Sequence, residues 1–231
     1  MKILQPYIIA CIVKNLVFTE DTFKKFIQLQ TKLHDGKCGK RNIATIATHD
    51  LNAIVPGDLT YTAKPPLELE IKPLMRNKTY TGTELFQQLQ KEADNLRKAL
   101  FPCLVDNQEQ VISFPPITNS DLTKMSPTTK DMLIEVTSAI SYQACRNVLD
   151  QLLKELVTTG IGCAPSDNEN NLYYSLQIEQ VKVVDIEDSD QLATLALLYS
   201  NLSCHGYFNH SEKISSMLKD FPFRMTFSEY I

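Results

Sequence analysis

Residues 6–13 form an apolar, β-branched run with no polar alternation, and such a run reads as a strand covered on both faces. A chain that contains it must supply packing layers on each side of a sheet. One source of cover is helical. Ala144, Cys145, Val148, Leu149, Leu152, Leu153 and Leu156 recur in pairs every turn, with Ser141 placed to cap the start and Gly160 and Gly162 to close the end. At 231 residues, 43% hydrophobic and 22% charged, the chain has enough apolar surface for a substantial core.

Other elements follow from local chemistry. Thr19 is placed to cap a helix whose first turn holds Glu20 and Asp21 and whose apolar face is Phe23, Phe26, Ile27 and Leu33, ending at Gly36 and Gly39. Residues 42–47 and 59–63 suit two strands around the turn Pro56-Gly57-Asp58. Leu67, Leu69 and Ile71 alternate with charged residues as in a half-buried strand. Thr81 and Glu84 make a capping box ahead of a helix carrying Leu85, Phe86, Leu89, Ala93, Leu96 and Leu100 on one face. Residues 101–105 and 111–114 predict a hairpin, with Pro115-Pro116 ending the pairing. Residues 132–137 predict a strand, 164–171 a polar loop, and 174–186 a long strand with a bulge near Gln180.

Strands and helices interleaved without strict βαβ spacing predict an α+β fold, a mixed sheet packed with helices. The expected division is a domain over 1–188, with a flexible loop at about 158–171, followed by a C-terminal appendage over 189–231. That appendage is predicted to hold helices at 190–201 and 211–218 and a cluster of Phe221, Phe223, Phe227 and Tyr230.

Net charge is −4, so the field of the whole molecule repels a phosphate backbone, and any nucleic-acid contact must be local. Between Lys14 and Arg41 seven basic residues face three acidic ones; between Pro165 and Asp190 seven acidic residues face Lys182 alone. This segregation leaves a basic N-terminal face, or simply a solvated helix surface. The six cysteines show no CxxC pair or zinc spacing and read as buried small hydrophobes, so no metal is expected. No cofactor is expected either, because the seven glycines include no phosphate-binding loop. The opening apolar stretch is too short to span a membrane and lacks a cleavage signal, so a cytoplasmic location is expected.

The segments Thr31-Lys32-Leu33-His34, Ala47-Thr48-His49-Asp50-Leu51, Val111 through Ser120 and Ile134-Glu135-Val136-Thr137-Ser138 occur in an order that resembles one family. Together they look like the B3/B4 domain shared by eukaryotic phenylalanyl-tRNA synthetase β subunits and leucine-rich repeat-containing protein 47, with 102–120 closer to the latter. The resemblance covers about 6–188. Three departures mark it: no leucine-rich repeat array occurs, so a fragment is expected; the family's basic, helical insertion between Lys98 and Phe101 is missing; and nothing after Asp188 is familiar.

What the resemblance implies is a module associated with tRNA and with hydrolysis of tyrosine wrongly esterified to a phenylalanine tRNA. Discrimination there needs a hydrogen-bonding site for a phenol hydroxyl. By resemblance Glu135, Asn119 and Thr137 line that site, with Pro115 and Pro116 shaping one wall. Each residue also has a local reading: Asn119 as a turn residue, Thr137 as a strand-end hydroxyl, and Glu135 as a buried carboxylate that needs a partner. His49 beside Asp50 offers a general base or, more simply, a core histidine, since no motif supplies a nucleophile. Lys37, Lys40 and Arg41 are the candidate RNA contacts, although Arg41 is also placed to pair with Asp35 or Asp50. Ser120 and Ser138-Ala139 stand where the synthetases favour glycine and an acidic ending. The expectation is therefore a non-catalytic RNA-binding module or one with a translation-linked protein partner; the alternatives are an editing hydrolase acting on mischarged tyrosyl-tRNA and a structural protein-interaction domain.

Overall fold

The computed structural model describes residues 5–89, 100–162, 176–185 and 223–226. The α+β class is as expected, and the strands are divided between two stacked antiparallel sheets and a small ribbon.

The first strand, β1 (Tyr7–Lys14), lies inside a four-stranded sheet, flanked by β10 (Gln177–Gln180) and β9 (Met132–Ser138), with β2 (Ala44–Asp50) beyond β9. Its alternate residues enter different cores, which is why the run has no polar positions. Ile9, Cys11 and Val13 pack with Ile46, Ile134 and Val136 against helices α1 (Glu20–Asp35) and α3 (Tyr142–Thr158). Ile8, Ala10 and Ile12 join Leu133 in facing the second sheet, where they meet Leu59, Tyr61, Leu104 and Ile112.

That second sheet runs β11 (Lys182–Asp185), β12 (Phe223–Thr226), β3 (Leu59–Lys64), β6 (Phe101–Val105), β7 (Val111–Phe114) and β8 (Thr118–Asn119). Its far face carries Phe101, Cys103, Val105 and Phe114 against Leu69, Ile71, Tyr80 and Leu85. These last come from the ribbon β4 (Glu70–Ile71) with β5 (Tyr80–Thr81) and from helix α2 (Gly82–Leu89). The order of layers is helices, sheet, sheet, then ribbon with helix.

Both predicted caps on the first sheet's helices are present. Thr19 and Thr22 form a reciprocal box, each side chain accepting the other's backbone N–H at 3.1 and 2.8 Å. Ser141 Oγ accepts the Ala144 N–H at 3.1 Å. Replacing Ser141 by Ala leaves that N–H unpaired, and urea unfolding is expected to show a loss of about 1 kcal/mol. The Thr81–Glu84 box also forms; the part of its helix predicted beyond Leu89 falls in 90–99, outside the described residues, as does the junction after Lys98.

Several expectations are corrected. Ile27 is exposed, and Leu29 takes the buried position on α1. The two strands expected around Pro56-Gly57-Asp58 are present as β2 and β3, but they belong to different sheets, so the turn carries the chain between layers. Of the alternating stretch at 67–72 only Glu70–Ile71 pairs, and Leu67 is exposed because it lies within a turn over 66–68. Pro115 and Pro116, joined by a cis peptide bond, do not end the pairing, since β8 folds back on β7 with Ser113 opposite Asn119 and Phe114 opposite Thr118. The shift near Gln180 is a change of sheet: β10 pairs with β1, and two residues later β11 pairs with β12. The loop at 164–171 and the helices at 190–201 and 211–218 lie outside the described residues.

Cys11, Cys38, Cys103 and Cys145 are buried free thiols. Burial pushes Cys11 and Cys103 up to about 12 and Cys38 up to about 11, so they stay protonated and apolar in behaviour. Cys163 and Cys204 lie outside the described residues. Among those residues no helix is long and apolar enough to cross a membrane.

Candidate functional site

Register decides which candidates can meet. Glu135 on β9 lies opposite Ala47 on β2 and Ala10 on β1, and Thr137 lies opposite Thr45 and Ile8. Residues directly opposite share a face. Glu135, Thr137, Thr45 and His49 therefore all point between the two sheets, a space otherwise filled by aliphatic side chains and Tyr61.

Polar groups here need partners, because an unpaired one costs about 1–3 kcal/mol. Thr137 Oγ1 donates to Gln5 Oε1 at 2.5 Å, Gln5 Nε2 donates to Thr45 Oγ1 at 3.5 Å, and Tyr61 OH donates to the Gln5 carbonyl at 2.9 Å. Gln5 thus binds two strands of the first sheet to the second. Ser113 Oγ on β7 donates to Glu135 Oε1, a second bridge between sheets. His49 Nδ1 pairs with Thr123 Oγ1 at 2.7 Å, and Asn119 Nδ2 donates to the Thr48 carbonyl at 3.5 Å.

Among the described residues, Glu135 Oε2 and His49 Nε2 in this space have no hydrogen-bond partner. Glu135 is 1% exposed and His49 fully buried. Burial raises the Glu135 carboxyl to about 7, against the lowering effect of the Ser113 hydroxyl, so near neutrality it passes between acid and carboxylate. Burial lowers His49 to about 3, so its imidazole is neutral. Asp50 does not orient that imidazole. Adjacent strand residues point to opposite faces, and the Asp50 carboxylate instead accepts the Thr129 hydroxyl at 2.7 Å and the Asn52 N–H at 3.0 Å.

The turn 115–117 and the Glu135 strand are brought together, because β7 supplies both Ser113 and the entry to the turn. Pro115 is buried and Pro116 half-buried. Against that turn lies the basic corner between α1 and β2. Gly39, Lys40 and Arg41 have φ values of 57°, 53° and 68°, three consecutive left-handed residues of which only glycine adopts that shape freely. The bend leaves Lys37, Lys40 and Arg41 exposed and lets Arg41 Nη1 donate to the Pro116 carbonyl at 3.1 Å. Arg41 therefore binds the turn rather than forming an ion pair with Asp35 or Asp50, although Asp35 is close enough to favour its charge.

Sequence reasoning missed Gln5, Tyr61, Ser113 and Thr123. Only Ser113 carries a signal, as a lone polar residue in the apolar run Val111 to Phe114. His34 has a structural role that the motif alone does not indicate: its Nε2 accepts the Ile46 N–H at 3.0 Å, so it clasps α1 to β2, and burial lowers it to about 4. Among the described residues no group of three His, Cys, Asp or Glu side chains converges as a metal site would.

No family model matches the chain. Over 155 residues, 64% of this chain, it is 36% identical to the phenylalanine–tRNA ligase beta subunit of Homo sapiens. It is 33% identical over 143 residues to the cytoplasmic phenylalanine–tRNA ligase beta subunit of Arabidopsis thaliana. The chain spans 26% of the human relative and 24% of the plant one. A crystal structure of an N-terminal fragment of the phenylalanyl-tRNA synthetase beta subunit from Pyrococcus horikoshii matches 80% of this chain and 55% of its own, with a TM-score of 0.57 and 24% identity, and shares the fold. The chain is thus related to part of a tRNA synthetase subunit.

Proposed function

We propose that this chain is a B3/B4-type module that binds tRNA or another RNA without hydrolysing an aminoacyl ester. One observation carries the non-catalytic half: Thr137, Asn119, His49 and Glu135 each already hold a bond between structural elements, and Glu135 is 1% exposed. A substrate phenol would have to reach a carboxyl that is buried between the two sheets. The RNA half draws on the exposed Lys37, Lys40 and Arg41, set at an angle by the left-handed bend, and on the kinship to a tRNA ligase subunit. A translation-linked protein partner and a cytoplasmic setting belong to the same reading.

The second reading is an editing hydrolase for mischarged tyrosyl-tRNA. It is favoured by the two unpartnered atoms, Glu135 Oε2 and His49 Nε2, which point into the same space between the sheets. One titration and one assay separate the readings. Phenylalanine tRNA is expected to bind with an affinity that falls as salt rises, and Lys40→Ala with Arg41→Ala to flatten the log–log salt slope by about 1–2. Tyrosine esterified to that tRNA is expected to be lost no faster than in buffer. Ester loss well above background that Glu135→Ala abolishes would overturn the non-catalytic reading.

A further inference from the structure

A second basic surface is hydrogen-bonded to β8, the strand that follows the turn bound by Arg41. Residues 74–79, Leu-Met-Arg-Asn-Lys-Thr, are consecutively exposed. The base of this loop is firmly held: Leu74 N–H donates to the Asn119 carbonyl at 2.9 Å, Asp121 N–H to the Lys72 carbonyl at 2.9 Å, and Met75 N–H to Asp121 Oδ1 at 3.4 Å. Asp121 also draws in Lys72 at 3.2 Å and Lys124 at 3.8 Å. A fixed base displays the tip.

The tip is unusual for a solvated turn. Met75 has φ 61°, a left-handed conformation, and is 79% exposed, with Leu122 at 49% and Leu74 at 40% nearby. Strain that directs a thioether into water gives the core nothing, so such an outlier points to a contact made outside the fold. Around it stand Lys72, Arg76, Lys78 and Lys124, against Asp121 and the Glu84 carboxylate that Lys78 faces. Lys78 also lies over the Tyr80 ring at 4.5 Å.

We propose that this corner seats unpaired nucleotides, with Arg76, Lys78 and Lys124 on phosphates and Met75 and Leu122 against base faces. The proposal rests on the RNA-binding reading above and locates a surface for it. Charge favours a polyanion. Three aliphatic side chains expose a few hundred Å² at most, well short of the roughly 1,000 Å² that a stable protein interface buries, yet they are enough to cover a base or two. A duplex hides its base faces and would leave Met75 without a partner. The two basic corners also lie within reach of one RNA. Arg41 binds the carbonyl of Pro116 and Leu74 that of Asn119, three residues apart and so separated by at most about 10 Å of chain.

The test compares the full chain with three double variants of this surface, using fluorescence anisotropy on a 12-nucleotide unstructured RNA, a 12-base-pair RNA duplex and unfractionated tRNA. Arg76→Ala with Lys78→Ala is expected to weaken the single strand and the tRNA at least fivefold and to lower the single-strand salt slope by about 1.4, two phosphates' worth. Arg76→Lys with Lys78→Arg is expected to restore binding. Met75→Ala with Leu122→Ala is expected to weaken the single strand three- to tenfold while leaving the duplex unchanged. All four side chains lie outside the cores, and unchanged urea midpoints establish folding. Wild-type affinities in both alanine double variants, together with weakened tRNA binding by Lys40→Ala/Arg41→Ala, would sink this surface and leave the RNA reading standing. A parent chain that binds none of the three probes at low salt would overturn both.

Discussion

Replacing Glu135 by Gln is expected to change how stability depends on pH more than any surface substitution. The folded-state carboxyl sits at about 7, above its ordinary 4.5, because burial disfavours its charge. The folded protein therefore holds this proton more tightly than the unfolded chain does. Its contribution is fully present below about pH 4.5 and is lost as pH rises through 7, and a shift of this size corresponds to about 3 kcal/mol. Two histidines act in the opposite direction. His49 at about 3 and His34 at about 4 lie below their ordinary 6.5, so the stability they confer above that value is lost as pH falls. The wild-type profile is the sum of these effects, and the difference between wild type and Glu135→Gln isolates the carboxyl. Urea midpoints measured from pH 4.5 to 8 are expected to show the variant gaining on wild type by about 3 kcal/mol across the interval. Parallel curves would mean that Glu135 is not desolvated in the folded protein.

Phe101→Ala is expected to be the most damaging single truncation outside the helix-covered core. Phe101 and Phe114 are buried with ring centroids 5.4 Å apart, and they join the second sheet to the ribbon and to α2. The small residue at the start of α2 depends on the same contact, since a Cβ added at Gly82 would lie 2.9 Å from the Pro66 carbonyl oxygen and 3.2 Å from the Phe101 ring. Removing the ring leaves a cavity that this thin outer layer cannot fill, at a cost of about 3–5 kcal/mol. In a chain of this size that corresponds to a melting temperature lower by about 6–20 °C. Phe101→Leu, which keeps most of the volume, is expected to recover more than half of the loss. Phe114 leads directly into the turn that Arg41 binds, so the calorimetric result also reports on how rigidly that turn is supported.

Legibility differed by element for a physical reason. The α1 and α3 helices could be read to within a residue or two at their starts, because Thr19 and Ser141 satisfy N–H groups three residues away and the information is local. The strand at 132–138 was equally clear from its apolar content. By contrast, the 56–58 turn looked the same whether its flanking strands paired with each other or with others. Only the layers showed that β2 pairs with β9 while β3 pairs with β6. The apparent bulge at Gln180 failed for the same reason, since one continuous extended segment can serve two sheets.

The candidate site shows the same division. That Glu135 would be buried followed from Leu133 and Ile134 beside it, and that the chain needed cover on both faces of a sheet followed from the run beginning at Tyr7. The partner of Glu135 did not follow from anything local. Leu104 pairs with Ser113 and Val105 with Val111, which makes Ile112 an extra residue in β7. That one-residue irregularity turns Ser113 toward the first sheet, where it meets a carboxyl 22 positions later in the chain. Composition and periodicity fix which side chains leave water, because hydrophobic burial depends on how much apolar area each carries. Which buried polar groups find each other depends on strand register across two sheets, and register is set by contacts between segments far apart in sequence.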